Sequence, residues 1–450
     1  MHLGLQVMAY RNFVPDKYSP EITDREWAKL DGTLPDPAVF ADVPGGAAGM
    51  HDRHREAWGQ VWVLSLTETV SWGILYYAFV ALLIPMRDDL GWSEGQLTAA
   101  YSFGILISGL TAPIVGMVID RQSARILMPL GSLGATCLVL AWARVETFPI
   151  YVLIWVGIGV MMSWTLYEPA FATITRWFAH DRSRPLLVVT ICAGFASTIF
   201  LPLTTWLAMR YGWRQTLDSY AAMLLLLTAL PHVFLLRRPP PLPHATPEHG
   251  ERPKEGMRLR DATRLRAFWQ ITGAFGIQAF ASTAVAAFLI AYLVERGDSP
   301  AFAATATGAI GAAQVLARVL MTLFGKRWSP VTLAAIMLGM QALAVAVLVL
   351  WTTRPGVVLA VLLLGAGRGA LTLLRPMILL DRFGLRAFAS ISGTQSAVVS
   401  ICGALAPVAM GVAYGIVGSY RPLMIFMGAL GLMAALTMVH EPALAAHDPR

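Results

Sequence analysis

From residue 58 onward, the chain alternates between long apolar runs and short polar interruptions. Twelve of these runs are long enough to cross about 30 Å of hydrocarbon as helices that rise about 1.5 Å per residue. Because open sheet edges cannot satisfy their backbone groups in lipid, such runs form helices. The pattern therefore predicts an all-α polytopic membrane protein. The predicted spans lie near residues 58–85, 95–119, 124–143, 148–172, 185–207, 216–236, 267–294, 301–324, 329–352, 355–380, 387–417 and 421–440.

The composition supports a membrane protein, because 56% of the residues are hydrophobic and only 14% are charged, whereas soluble domains carry about 25% charged residues. The net charge of +7 comes almost wholly from arginines between the apolar runs, which indicates membrane topology and not a nucleic-acid-binding face. Cys137, Cys192 and Cys402 lie in separate runs and predict neither disulfides nor a metal site. No phosphate-binding loop for ATP is present, so we expect no cofactor and an ion or substrate gradient as the energy source.

The positive residues are distributed unevenly between the two sides of the predicted membrane. Polar segments on the side of the N-terminus hold 19 arginines and lysines, and those on the opposite side hold 7. Because such residues are enriched on the cytoplasmic side, both termini are predicted to be cytoplasmic in the inner (plasma) membrane.

The longest polar interruption is rich in proline and mixed charge, which is typical of a flexible linker. A weak internal repeat supports two halves, since Gly212-Trp213-Arg214 after the fifth run is echoed by Gly418-Ser419-Tyr420-Arg421 after the eleventh. The polar segment before the first run is typical of disorder, and Met50 within it is a hypothetical translation start. The predicted segments are a disordered cytoplasmic tail at 1–57, a six-helix bundle at 58–236, a cytoplasmic linker at 237–266, a second six-helix bundle at 267–440 and a cytoplasmic tail at 441–450.

The loop between the second and third runs reads GMVIDRQSAR, from Gly116 to Arg125. A loop this short makes the two helices antiparallel. The pattern G-x-x-x-D-R-x-x-x-R resembles the signature loop of the major facilitator superfamily, although Ser123 replaces the usual glycine and Ala124 a common basic residue. The resemblance implies two pseudo-symmetric six-helix bundles that transport by alternating access. The conformational gating loop is predicted to comprise Gly116, Asp120, Arg121, Arg125, Arg176 and Arg184.

Charged residues inside the predicted spans cost at least about 2.5 kcal/mol each, so they are functional candidates. Glu68 and Arg368 lie near the bilayer midplane, and Arg318 lies within the eighth run. Glu168 and Arg375 lie closer to the ends of their runs, and we expect them to reach the interface by snorkelling. Glu68 fits either a proton-carrying carboxyl or a fixed ionic partner of Arg318 or Arg368. Arg318 fits either a cation that binds a substrate carboxylate or a member of an internal ion pair.

The segment from Pro169 to Gly194 resembles the region of the fourth and fifth helices in the monocarboxylate transporter family. The matching residues are Pro169, Arg176, Trp177, Phe178, Arg182, Arg184, Pro185, Leu186, Ala193 and Gly194. The resemblance implies that Arg318 holds a substrate carboxylate, although Gln314 stands where the family has aspartate. The family's helix-one motif is met in part, by Ser71-Trp72-Gly73, with Glu68 one position early.

Several uncharged side chains are further candidates for substrate contact. The aromatic residues around Tyr76 span more than one helix face, which also fits packing or lipid contact. Gln278 and Gln395 fit either substrate binding or hydrogen bonds between helices. The glycines of GAGRGA around Arg368 predict close helix packing. The predicted substrate-binding residues are Arg318, Tyr167, Gln314, Arg368, Tyr76, Gln278 and Gln395, and Glu68 is predicted to couple protons.

These observations favour a secondary active transporter that moves a small organic anion, specifically a monocarboxylate, together with a proton. The alternative is proton-driven efflux of toxic or apolar compounds by the same fold. A membrane enzyme is not indicated, because the spans hold no His-Glu-x-x-His, paired aspartates or Ser/His set. The expected partners are the substrate, a proton and the lipid bilayer, with no nucleic acid, and the chain is expected to act as a monomer.

Overall fold

The structure, a computed structural model, describes residues 46–122, 124–178, 182–239, 256–324 and 328–439. Every regular element in these residues is helical, and 12 helices are long and apolar enough to cross a membrane. The all-α prediction is therefore confirmed. The spans are α1 (Arg53–Leu90), α2 (Glu94–Gln122), α3 (Ala124–Ala143), α4 (Phe148–Trp177), α5 (Ser183–Tyr211), α6 (Trp213–Phe234), α7 (Arg266–Glu295), α8 (Pro300–Met321), α9 (Pro330–Leu350), α10 (Arg354–Phe383), α11 (Phe388–Val417) and α12 (Tyr420–Val439).

The ends of the chain differ in part from the predicted segments. Helical structure begins at Gly46, twelve residues before the predicted first run, so part of the predicted disordered tail at 1–57 is helical. The rest of that tail, and the C-terminal tail at 441–450, lie outside the described residues. In the predicted linker, a short helix at Leu259–Ala262 precedes α7. The Met257 amide donates to the carbonyl of Phe383 at 2.7 Å, which attaches this end of the linker to α10.

Four of the spans are locally irregular. α1 contains a π-helical turn at Gly73–Tyr77, and α6 contains one at Leu225–Ala229. In α1, a side chain at position 73 would overlap the ring of Phe200 on α5, so glycine allows the two helices to approach. α4 is broken at Leu166, whose φ of −86° and ψ of −162° are extended, and α5 is broken at Phe195. These breaks divide α4 and α5 into two segments each.

The buried apolar side chains in the described part of the chain form three clusters. One cluster contains residues from α1–α6 alone and a second from α7–α12 alone. A third cluster contains residues from both sets of helices, and all of them lie toward the side where α1 begins and α12 ends. We call this the terminal side, α1–α6 the first group and α7–α12 the second group. Among the described residues, the two groups therefore share a core only on the terminal side.

The contacts between the groups follow the same division. α2 packs along α11, the first segment of α5 (Ser183–Gly194) packs against α8 and α10, and the second segment of α4 (Tyr167–Trp177) packs against α11. Both segments lie on the terminal side. Added Cβ atoms at Gly116 and Gly393 would overlap backbone atoms of the facing helix, so glycine is required for the α2–α11 approach. The space between the groups is thus closed on the terminal side.

Candidate functional site

Asp120, at the end of α2, binds the start of α11. Its carboxylate accepts hydrogen bonds from the backbone N–H groups of Ala389 at 3.2 Å and Ser390 at 2.9 Å, and from the Ser390 hydroxyl. The first N–H groups of a helix have no partner within the helix, and its N-terminus is the positive end of the helix dipole. Asp120 therefore provides, from the first group, the cap that α11 needs in the second.

The other predicted gating residues differ in burial and in whether they contact Asp120. Arg176 on α4 donates to the backbone carbonyl of Asp120 at 3.2 Å, and its guanidinium lies 3.9 Å from the carboxylate. Arg184 is half-buried, whereas the side chains of Arg121 and Arg125 are exposed. The structure thus brings Gly116, Asp120 and Arg176 together at the α2–α11 contact.

Replacing Asp120 with alanine is expected to favour opening of the terminal side by roughly tenfold, because a lost helix cap costs about 1–2 kcal/mol. The measurement is the rate at which an impermeant maleimide labels a cysteine at Val189, a fully buried position in the shared core, after the native cysteines are replaced by serine. Asp88→Asn is the matched control, since Asp88 is exposed on the opposite side. Equal labelling in both variants would contradict a role of Asp120 in closure.

Glu168 and Arg375 form an ion pair between the two groups. The distance from Nη2 of Arg375 on α10 to Oε1 of Glu168 on α4 is 3.1 Å, and both side chains are 20% exposed. Glu168 also accepts hydrogen bonds from the α11 hydroxyls of Ser392, at 2.6 Å, and Ser396. The expectation that Glu168 and Arg375 snorkel to the interface is therefore wrong. The break at Leu166 starts a new helical segment whose first turn carries Glu168 toward α10 and α11.

Gln395, a predicted substrate-binding residue, belongs to the same network. Its Oε1 accepts a hydrogen bond from Nε of Arg375 at 2.8 Å, and the side chain is fully buried. Gln395 therefore orients the arginine of the ion pair by a bond between α10 and α11.

Arg318 of α8 reaches across to the first group. Its Nη1 donates to the carbonyl of Thr190 on α5 at 2.8 Å, and its Nε donates to the carbonyl of Gly369 on α10 at 3.3 Å. An added Cβ at Gly194 would lie 2.5 Å from Nη1, so the glycine leaves room for the guanidinium. With 5% of its surface exposed, Arg318 is a buried contact between the groups in this conformation.

Arg368 of α10 differs from Arg318 in its contacts. It is half-buried, and it makes no hydrogen bond or ion pair within the part of the chain that the structure describes. Added Cβ atoms at Gly367 and Gly369 would collide with α9 and α8, which confirms that the GAGRGA glycines allow close packing. The backbone around Arg368 is therefore fixed by neighbouring helices, while its guanidinium has no hydrogen-bond or ion-pair partner among the described residues.

Glu68 of α1 is fully buried. Its Oε2 accepts a hydrogen bond from the indole N–H of Trp72 at 3.1 Å, whereas Oε1 has no hydrogen-bond partner among the described residues. Its electrostatic neighbours include Glu168. No ion pair joins Glu68 to Arg318 or Arg368 in the described part of the chain, so the fixed-partner interpretation does not hold for this conformation.

Two tyrosines of the first group lie near the charged residues Glu68, Arg318 and Arg368. Tyr77, in the π-helical turn of α1, lies near enough to Arg318 and Arg368 for their charges to act on its hydroxyl. Tyr167, directly after the break in α4, lies near enough to Arg318 and Glu68 for their charges to act on its hydroxyl. Residues of α1, α4, α8 and α10 therefore face one common region, which we call the central site. Tyr76, the neighbour of Tyr77, is half-buried and contacts it ring to ring at 5.1 Å.

The remaining predicted glutamines occupy other positions. Gln278 donates to Gln341 at 3.2 Å and to Ser282 at 3.1 Å, inside the second group, beside a cavity of about 20 Å³ lined by α7, α9, α10 and α12. Gln314 is half-buried on α8, where its backbone packs against Gly369. Gln278 therefore bonds between helices in this conformation. The described residues contain no group of three or more metal-ligating side chains.

The family of the chain follows from comparison with known proteins. The family model described as Major Facilitator Superfamily matches residues 61–312. The chain belongs to this superfamily, as its signature loop predicted. It is a multi-pass membrane transporter and not an enzyme.

Similar sequences carry two kinds of name. The chain is 23% identical to the Bos taurus protein named monocarboxylate transporter 13, over 83% of this chain and 84% of that protein. It is 27% identical to the rat protein of that name, over 35% of this chain and 36% of the relative. It is also 31% identical to an MFS-type efflux pump of Mycolicibacterium smegmatis, over 40% of this chain and 42% of that protein.

Solved structures support the fold. The transporter FucP in the outward conformation aligns with a TM-score of 0.66 at 15% identity, covering 84% of this chain and 98% of that one. The human organic anion transporter MFSD10 aligns with a TM-score of 0.65 at 14% identity, covering 85% of this chain and 99% of that one. At these identities, the likeness describes the fold alone.

Proposed function

We propose that this transporter moves a small organic anion, a monocarboxylate, together with a proton by alternating access. The observation that carries the proposal is Arg368, a half-buried cation that makes no ion pair or hydrogen bond within the described residues. A guanidinium binds a carboxylate through two parallel hydrogen bonds, which matches this substrate class. The relatives named monocarboxylate transporters support the same class.

We further propose that the terminal side is cytoplasmic and that this conformation faces outward. The excess of arginine and lysine in the terminal-side segments supports this orientation. The shared core closes the terminal side, so the central site would be reached from outside the cell. The anion would bind Arg368, and the proton would bind Glu68. Because Glu68 is fully enclosed, it would exchange its proton only when a conformational change opens a path to water.

We propose two bundles, predicted at 58–236 and 267–440, joined by a linker at 237–266, with the helix of the first bundle extending back to Gly46. Cores confined to α1–α6 and to α7–α12 support two bundles. Because the central site lies between the two groups of a single chain, we propose that the transporter acts as a monomer. We also propose that it lies in the plasma membrane with both termini cytoplasmic.

Replacing Glu68 with glutamine is expected to abolish the stimulation of uptake by an inward proton gradient, while exchange of substrate across the membrane continues. Glutamine keeps the size and the acceptor for Trp72 but cannot ionise. The measurement is uptake of radiolabelled benzoate and acetate into proteoliposomes, with and without the gradient, alongside counterflow exchange. Glu146→Gln, at an exposed position between α3 and α4, is the control. A variant that still responds fully to the gradient would show that Glu68 does not couple protons.

Proton-driven efflux of toxic or apolar compounds is the second candidate, and the similarity to the mycobacterial efflux pump favours it. The same proteoliposomes distinguish the two functions. Under an inward proton gradient, import with a proton accumulates labelled carboxylate, whereas proton-driven efflux of toxic compounds expels a preloaded toxic dye such as ethidium. Arg368→Ala should abolish the first activity and spare the second.

A further inference from the structure

The first-group side of the central site is lined by aromatic rings. Trp72 contacts Tyr167 with ring centroids 5.0 Å apart and Tyr76 with centroids 5.3 Å apart. Tyr76 in turn contacts Tyr77 at 5.1 Å and Tyr101 at 5.9 Å. All five side chains are half-buried. These residues of α1, α2 and α4 form a continuous surface that we call the aromatic wall.

The position of the wall is defined by its charged neighbours. Arg318 reaches the first group through its bond to Thr190 at 2.8 Å and lies beside Arg368 through its bond to the neighbouring Gly369 at 3.3 Å. Tyr77 and Tyr167 both lie near Arg318, so the wall faces the second group. At its back, Tyr101 stacks on Phe79 at 4.2 Å and Tyr167 stacks on Phe171 at 4.9 Å. Phe79 and Phe171 are buried, and these stacking contacts hold the half-buried rings of Tyr101 and Tyr167 in place. The hydroxyl of Tyr167 makes no hydrogen bond within the described residues.

The charges around the wall favour an anion over a cation. Aromatic faces can bind organic cations, and Glu68 is an acid at this site. However, one oxygen of Glu68 is covered by the indole N–H of Trp72, and Glu168 is paired with Arg375. Arg368 has no acidic partner among the described residues. The accessible charge facing the wall is therefore positive.

A short aliphatic acid would satisfy Arg368 but leave the rings uncovered. An aromatic body placed against this wall would gain offset or edge-to-face contacts in addition to buried apolar area. Because the rings are already ordered by their buried partners, the wall would lose little conformational freedom on binding. A cation opposite a preformed aromatic surface thus favours a ligand that carries both a carboxylate and an aromatic ring.

We propose that the carried anion is an aromatic carboxylate, whose ring packs on the aromatic wall while its carboxylate binds Arg368. This inference rests on the proposed function and narrows its substrate class. Trp72, Tyr76 and Tyr167 are the specificity-determining residues, and Arg368 is the anion-binding residue.

The test measures binding to purified protein in nanodiscs by competition and by thermal shift, with four probes. Benzoate carries both parts of the expected ligand, acetate the carboxylate alone, benzyl alcohol the ring alone, and phenyltrimethylammonium the ring with a positive charge. Benzoate should bind at least tenfold more tightly than each of the other three. Tyr167→Leu should weaken benzoate about tenfold and leave acetate unchanged, whereas Tyr167→Phe should bind benzoate like the parent protein.

Tyr414→Leu is the control, because Tyr414 is a half-buried tyrosine stacked on Tyr420 in the second group, away from the wall. It should leave all four affinities unchanged. If acetate and benzoate bind equally, and both depend on Arg368, the aromatic preference is overturned and the carboxylate function stands. If neither anion binds, or phenyltrimethylammonium binds best, the proposed function itself is overturned.

Discussion

Replacing Glu168 with alanine is expected to destabilise the closed terminal side by more than any other single substitution at this contact. The variant loses the ion pair with Arg375 and the hydrogen bonds from Ser392 and Ser396. Hydrogen bonds to charged groups contribute about 1.5–3 kcal/mol each, and Arg375 would keep a mostly buried charge without its carboxylate. We expect at least a hundredfold shift toward opening on that side, and uptake reduced to a few per cent.

The shift is measured by maleimide labelling of the cysteine at Val189, in the same cysteine-free background. Glu94→Ala is the matched control, because Glu94 also pairs with an arginine, Arg87, but at an exposed site where a pair contributes about 0–1 kcal/mol. Exchange of the partners, Glu168→Arg with Arg375→Glu, should restore part of the closure. Parental labelling rates in Glu168→Ala would mean that the ion pair does not hold the groups together.

Replacing Arg368 with alanine is expected to abolish carboxylate uptake while leaving thermal stability unchanged. No internal hydrogen bond or ion pair of Arg368 within the described residues is lost. Removal of a bidentate carboxylate contact should reduce affinity at least a hundredfold, on the order of 3 kcal/mol. Arg368→Lys should retain part of the binding, because it keeps the charge but not the planar fork.

Arg318→Ala provides the informative comparison. It should also abolish uptake, but it removes bonds to Thr190 and Gly369 and should therefore lower the unfolding temperature. Arg354→Ala, at an exposed position on the same helix as Arg368, is the control for both. Normal uptake by Arg368→Ala would refute the anion-binding role, and normal uptake by Arg318→Ala would show that the contact between the groups is dispensable.

The fold could be predicted from the sequence because the membrane imposes it. An apolar run long enough to span the membrane satisfies its backbone groups in lipid by forming a helix, so counting the runs predicted the twelve helices. The signature loop from Gly116 to Arg125 then identified the superfamily, since its chemistry is local to ten residues. The start of the first helix was misplaced because helices continue beyond the hydrocarbon wherever the polar chain permits it.

The site was harder to predict from the sequence than the fold, because it depends on contacts between segments that are distant in the sequence. The depth of Glu168 in its run suggested that it reaches the interface, but the break at Leu166 turns it inward to Arg375, which is 207 residues away in the sequence. The π-helical turn at Gly73–Tyr77 likewise changes the helical phase, so a regular helix misassigns the faces of Tyr76 and Tyr77. The sequence did show an acidic and a basic residue within the spans, and this was the one feature from which the Glu168–Arg375 pair could have been predicted.

The glycines between α2 and α11 have a consequence for the energy of each transport cycle. At Gly116 and Gly393, backbone lies against backbone, so neither position places a side chain against the facing helix. At these two positions the helices can separate without a change of rotamer and can meet again in the same register. A single methyl group at either position would keep the two helices apart. We expect this change to lower the rate of turnover more than the affinity for substrate.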